Sequence, residues 1–172
     1  LAVLITLLDQ NIIDYKYIAG ALVAGSIVGY FAATKVKMTS MPEMVAIFNG
    51  FGGIASLLVG SAEYVSGTFD NPAFLGAIFL TVLIGGITFT GSIIAYGKLS
   101  EVISGKPYLY KGQQFVNGLL VLAILLVGLN MLFFQGYITP EQTLILLIVL
   151  AFVLGILFVI PIGGADMPVV IA

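Results

Sequence analysis

The sequence predicts an all-α fold: a polytopic transmembrane helical bundle of about five full spans, with partial helices at both ends. Three observations predict it. Of 172 residues, 60% are hydrophobic and 8% charged, with a mean hydropathy of +1.19. A water-soluble domain carries about 25% charged residues, so this chain has too little polar surface to coat a soluble globule. The apolar runs are also long enough to cross a hydrocarbon core of ~30 Å. Finally, the lysines favour alternate connections, as membrane orientation requires.

Taken in order, residues 1–8 read as a partial helix, followed by a polar turn at 9–14. With no initiator Met and no basic leading region, this start reads as the tail of a helix within a longer protein rather than as a signal peptide. The spans follow at 17–34, 42–62, 72–99, 113–134 and 140–160. The second begins after Thr39 and Ser40, with Pro42 and Glu43 in its first turn, a pattern that starts helices. Residues 63–71 form an acidic loop with Gly67 and Ser66, and 100–112 a polar loop with Pro107. A short turn lies at 135–139. Pro161 to Gly164 break the chain, and a last, truncated helix opens at Asp166. All of 1–172 is read as one transmembrane domain fragment.

Charge placement gives the orientation. Lys35, Lys37, Lys98, Lys106 and Lys111 fall on one side and only Lys16 on the other, where Asp9, Asp14, Glu63, Asp70 and Glu141 lie. Loops 35–40, 100–112 and 161–165 are therefore expected in the cytoplasm. Composition also excludes several functions. The net charge of −2 offers no basic face for nucleic acid. There is no Cys for disulfides, thiolate metal sites or nucleophiles, and no His for metal ligation or for carrying protons near neutral pH. No metal cluster, catalytic triad or phosphate loop is recognisable. Gly50-Phe51-Gly52-Gly53 lies within a span and is a poor nucleotide site.

Polar residues inside spans each need an account, because lipid does not solvate them. Asn49 lies roughly 10 Å below the cytoplasmic end of its helix at ~1.5 Å per residue. It is surrounded by Gly50, Gly52 and Gly53. It is either an interhelical hydrogen-bonding residue, such bonds averaging ~0.6 kcal/mol, or part of a water- or ion-lined path. Thr88, Thr90 and Ser92 form a second polar set, with Ser92 at a depth close to that of Asn49, so that the two could face each other. Such hydroxyls also bond to their own helix. Gly85, Gly86 and Gly91 read as a tight-packing stripe, and Asn117 and Asn130, near helix ends, as structural. Asp166, after Gly163 and Gly164, either caps a helix N-terminus or places a carboxylate on a flexible hinge at the mouth of a membrane path. Glu43, in the first turn of its helix, has the same two readings.

Three strings carry a resemblance. Met38-Thr39-Ser40-Met41-Pro42-Glu43-Met44-Val45-Ala46-Ile47-Phe48-Asn49-Gly50 is the first. Thr88-Phe89-Thr90-Gly91-Ser92 with Gly97-Lys98-Leu99 is the second, and Gly163-Gly164-Ala165-Asp166-Met167-Pro168-Val169-Val170 the third. In order and spacing they resemble the β subunit of the proton-translocating nicotinamide nucleotide transhydrogenases, over roughly residue 17 to the end. The resemblance implies an enzyme complex of the inner membrane that moves hydride from NADH to NADP⁺ while protons flow inward. It implies soluble NAD(H)- and NADP(H)-binding domains, an α subunit with its own membrane helices, and a dimer. This stretch would then be membrane helices only, with no bound cofactor, no metal and no hydride-transfer residue of its own.

By position, the resemblance places Asn49 where many members have a proton-handling His, and Ser92 beside it; Thr88 and Thr90, the polar neighbours of Ser92 on its span, are read with them as the proton path. It places Asp166 at the coupling point to the NADP(H) domain, and Gly163, Gly164 and Glu43, from the functional reading of the residues themselves, are grouped with it. Asn does not titrate, so either the proton carrier is a His on a partner subunit's helix, which is the favoured expectation, or water passes the proton and Asn49 only positions it. Apart from the resemblance, the residues also fit a secondary transporter or channel without redox chemistry, or a purely structural membrane subunit.

Overall fold

The computed structural model describes residues 15–67, 71–133 and 139–171. The partial helix expected over 1–8, together with Asp9, Asp14 and Asp70, lies outside them. All regular structure in the described residues is helical, and five helices are long and apolar enough to span a membrane. They are α1 (Tyr15–Lys35), α2 (Met41–Ser66), α3 (Pro72–Leu99), α4 (Gln113–Phe133) and α5 (Pro140–Val159), and a short α6 (Met167–Ile171) follows.

The chain divides into two compact units, Leu1–Met38 and Thr39–Ala172. The first contains α1, which is apolar on all sides and carries Lys35 in its last turn. Thr34 satisfies its hydroxyl within the helix, donating to the Tyr30 carbonyl at 2.8 Å. The remaining helices belong to the second unit.

Helix starts in that unit follow the sequence closely. Asn71 begins α3 with its Oδ1 accepting from the Ala73 N–H at 2.9 Å, and Pro72 stands where no N–H is needed. Thr139 and Gln142 form a reciprocal capping box at α5, with bonds of 3.3 and 3.4 Å. The start of α2 departs from expectation. Met38–Ser40 is a 3-10 turn, and Ser40 makes no side-chain cap there, because its backbone is not extended (φ −98°, ψ 9°). At the other end α2 runs on through Glu63 to Ser66, beyond the expected 62. One charge near an interface does not stop a helix, and the backbone turns extended only at Gly67.

The helix α3 is the hub, packing against α2, α4 and α5. Against α2 it runs antiparallel: Gly60 meets Val82, Gly53 meets Gly85, and Gly50 meets Ser92. Against α5 it runs parallel: Gly86 meets Ala151 and Gly91 meets Val159. The glycines 85, 86 and 91 thus serve two faces rather than one stripe. Small residues permit such close approach where lipid supplies no hydrophobic drive between helices. Leu57, Leu75, Phe79, Val82 and Leu147 form the centre of the core. The start of α2, the end of α3 and the end of α5 therefore gather at one end of this unit, where Met167 is fully buried against Ala95 and Val159.

Candidate functional site

The close approach of α2 and α3 creates the site. With no side chain on Gly50, Ser92 comes so near that a Cβ there would sit 3.2 Å from the Ser92 Cβ. One residue earlier, Asn49 Nδ2 donates to Ser92 Oγ at 2.9 Å. Ser92 is buried and Asn49 half-buried. The similar depth of the two residues, readable from the sequence, becomes a direct hydrogen bond.

Two cavities meet at this bond. One, of about 560 Å³, opens between α2 and α3 and is lined by Asn49, Gly52, Ser56, Thr81 and Thr88 among others. The other, of about 370 Å³, is lined by Asn49, Thr88 and Ser92, then by Phe158, Val159 and Ile162 of the α5 end. Asn49 and Thr88 border both. Amide and hydroxyl groups here can orient water and pass a hydrogen bond along, but neither holds a proton near neutral pH.

Thr90 separates from this group. Its hydroxyl is directed at α5, towards the Phe152 carbonyl at 3.0 Å and its own Gly86 carbonyl at 3.1 Å. Residues two apart on a helix do not share a face, so Thr88 and Ser92 point at α2 while Thr90 points away. Thr90 joins α3 to α5 and lines neither cavity.

Below the second cavity lies the chain break. The Gly164 N–H donates to the Gly105 carbonyl at 2.8 Å, and the Tyr108 N–H to the Ile160 carbonyl at 3.3 Å. Gly164 packs on Gly105, where a Cβ would come 3.3 Å from the Gly105 Cα. The Gly163–Gly164 pair is thus stitched to loop 100–112, where the sequence suggested a flexible hinge. Asp166 ends the 3-10 turn Gly164–Asp166 and is exposed, its own N–H donating to the Gly163 carbonyl at 3.0 Å. Glu43 is half-buried in the first turn of α2.

Sequence reasoning missed Lys98. Read only as one of five lysines that orient the bundle, it is 4% exposed. Its Nζ donates to the Ile160 carbonyl and, at 2.7 Å, to the Ile162 carbonyl. The signal that could have found it is a lysine in the last turn of a span beside a chain break that frees carbonyls.

The fold and site define a polytopic helical membrane protein with a polar contact buried between glycine-lined helices. Over residues 1–172 the sequence matches the family model described as NAD(P) transhydrogenase beta subunit, and the chain belongs to that family. It is similar to NAD(P) transhydrogenase subunit beta of Rhodospirillum rubrum, at 39% identity over 180 residues, covering 100% of this chain and 38% of the relative. A protein of the same name from a defined strain of that organism matches to the same extent. The chain spans 38% of the length of these curated relatives. Membership agrees with the three strings that carry the resemblance.

Proposed function

We propose that this chain is the proton-translocating membrane portion of a transhydrogenase, coupling inward proton flow to hydride transfer from NADH to NADP⁺. Separate soluble domains carry out that transfer. NAD(H) and NADP(H) belong to the whole enzyme, and this stretch binds neither. The observation that carries the reading is the 2.9 Å Asn49–Ser92 bond at the junction of two cavities, one open between α2 and α3 and the other reaching the chain break. A polar contact kept within a lipid-spanning pair of helices, with space for water on both sides, suits a hydrogen-bonded path better than packing alone. Thr88 borders both cavities and extends the path; Thr90 is left out of it.

Because Asn49 and Ser92 do not titrate, the proton carrier is a His on a membrane helix of the partner α subunit, facing the open cleft beside Asn49. Small Gly52 and Ser56 leave room there. Asp166, held out to solvent beyond the stitched glycines, meets the NADP(H)-binding domain, with Glu43 at the same end of the bundle. That end, carrying Lys98 and loop 100–112, faces the cytoplasm of a bacterial inner membrane. The assembled enzyme works as a dimer.

The test uses the complete enzyme in sealed phospholipid vesicles, following proton uptake with a pH-sensitive dye and hydride transfer by absorbance. Asn49→Ala should lower proton-coupled turnover strongly with the assembly intact, and undiminished coupling would remove Asn49 from the path. Asp166→Asn should leave the bundle folded but separate proton flow from hydride transfer. A wild-type ratio in that variant would reject its coupling role.

A further inference from the structure

A lysine with its head buried in a membrane protein needs a reason, since an unpaired ammonium in a low-dielectric setting is costly. Lys98 is 4% exposed, and its stem leaves the last turn of α3. Its Nζ is directed at two backbone carbonyls, Ile160 and Ile162, both at the end of α5. These carbonyls are exposed to it by the chain break. The Gly164 N–H, which a continuing helix would send to Ile160, goes instead to Gly105, and the Asp166 N–H goes to Gly163 rather than Ile162. The Tyr108 N–H reaches the Ile160 carbonyl at 3.3 Å, and the ammonium adds a second donor there and one to Ile162, where a point charge with three donors suits diverging carbonyls.

Its position gives the contact a further meaning. Lys98 stands six residues after Ser92 on the same helix, about 9 Å away at 1.5 Å per residue. Its acceptor Ile162 lines the cavity that also holds Asn49 and Ser92, and lies four residues before Asp166. We infer that Lys98 is a positioning residue that ties the segment bearing Asp166 to the helix bearing Ser92. Displacement at the polar cluster and displacement at the exposed carboxylate are then one event. This rests on the function proposed above and adds the physical link it needs. Lys98 acts through backbone it holds, and it touches no proton on the path.

The experiment uses the complete enzyme in vesicles with Lys98→Met, which keeps most of the stem and removes the ammonium. Hydrogen–deuterium exchange should speed up on the order of tenfold over 160–168, a loss of about 1.4 kcal/mol of local protection. Exchange over 49–57 and 86–93 should stay at wild-type rates. The ratio of protons taken up to hydride transferred should fall by a similar factor, with the KM for nucleotide unchanged. Lys98→Cys gives a second, independent arm, made in an enzyme whose cysteines outside this stretch are replaced, since this stretch itself has none. The cavity of about 410 Å³ that Lys98 borders with Ser104 and Gly105 admits a small reagent. Aminoethylation of that Cys rebuilds a lysine-like ammonium and should restore both readouts, whereas ethylation should restore neither; this arm decides if Lys98→Met does not assemble.

Faster exchange at 160–168 with a wild-type proton ratio would make Lys98 merely structural and overturn the inference. Equal rescue by ethylation, or faster exchange across all helices, would overturn it as well. An Asn49→Ala control with intact coupling would instead count against the proposed function, whatever Lys98 does.

Discussion

Gly53→Ala adds one methyl group where the backbones of α2 and α3 cross closely. A Cβ there would lie 2.8 Å from both the Gly85 carbonyl oxygen and the Phe89 nitrogen, and 3.0 Å from the Thr88 Cβ. Unstrained contacts need about 3.5 Å, so α2 and α3 must part by about 0.7 Å at this turn. Two of the three obstacles are backbone and cannot rotate aside. Asn49 is one helical turn away, and the same displacement would stretch its bond to Ser92 from 2.9 Å to about 3.6 Å, outside hydrogen-bonding range. Overpacking costs ~1–3 kcal/mol and the lost interhelical bond ~0.6 kcal/mol, so a destabilisation of about 2–3 kcal/mol is expected. The control is Gly118 on α4: a Cβ there would meet nothing within 4 Å, so Gly118→Ala should stay within about 0.5 kcal/mol of wild type. Thermal unfolding of the detergent-solubilised enzyme reads the stability, and vesicle proton uptake reads the site. Equal unfolding midpoints for the two variants would refute the reasoning, because each adds one methyl group to a helix and they differ in what it touches.

Four further outcomes are expected. Thr90→Val, which removes the hydroxyl facing Phe152, should cost about 0.6–1.7 kcal/mol in the same unfolding assay and leave proton uptake per hydride unchanged. Gly155→Ala should be far worse at the same contact, since its Cβ would strike Thr90 Oγ1 and lie 2.6 Å from the Ile87 carbonyl. Thr139→Ala opens the capping box of α5 and should lower the unfolding midpoint by the equivalent of about 1 kcal/mol, without altering the site. Glu101→Gly should raise it: Glu101, two residues past the end of α3, has a positive φ of 59°, a conformation costing side-chain-bearing residues ~1–2 kcal/mol, part of which glycine's extra chain entropy offsets.

Much of the bundle was legible because lipid imposes a simple rule on composition and length. Five spans can be read from hydropathy, and their starts from Asn71-Pro72 and Thr139-Pro140, since local caps depend on local residues. The end of α2 was less legible, because Glu63 alone does not stop a helix. At the site, depth along two antiparallel helices brings Asn49 and Ser92 to one level, and the glycine-lined crossing turns that into a bond. Helical rotation was available too, and it separates Thr90 from Thr88 and Ser92, but grouping by sequence proximity hid it. The role of Lys98 was out of reach in a different sense. Its acceptors are main-chain carbonyls freed by irregular backbone more than 60 residues away, and every residue has a carbonyl, so side-chain identity does not mark them. The stitch between Gly105 and Gly164 is hidden for the same reason.

That stitch also sets an order of assembly. Loop 100–112 leaves the ribosome with the end of α3, but its partner at Ile160–Gly164 follows only after α4 and α5 have been made. Until then the Lys98 ammonium has no carbonyls to meet and stays hydrated at the membrane surface. Seating it is therefore a late step of biogenesis. A nascent chain halted before residue 160 therefore leaves the Lys98 end of the bundle without the segment that closes it.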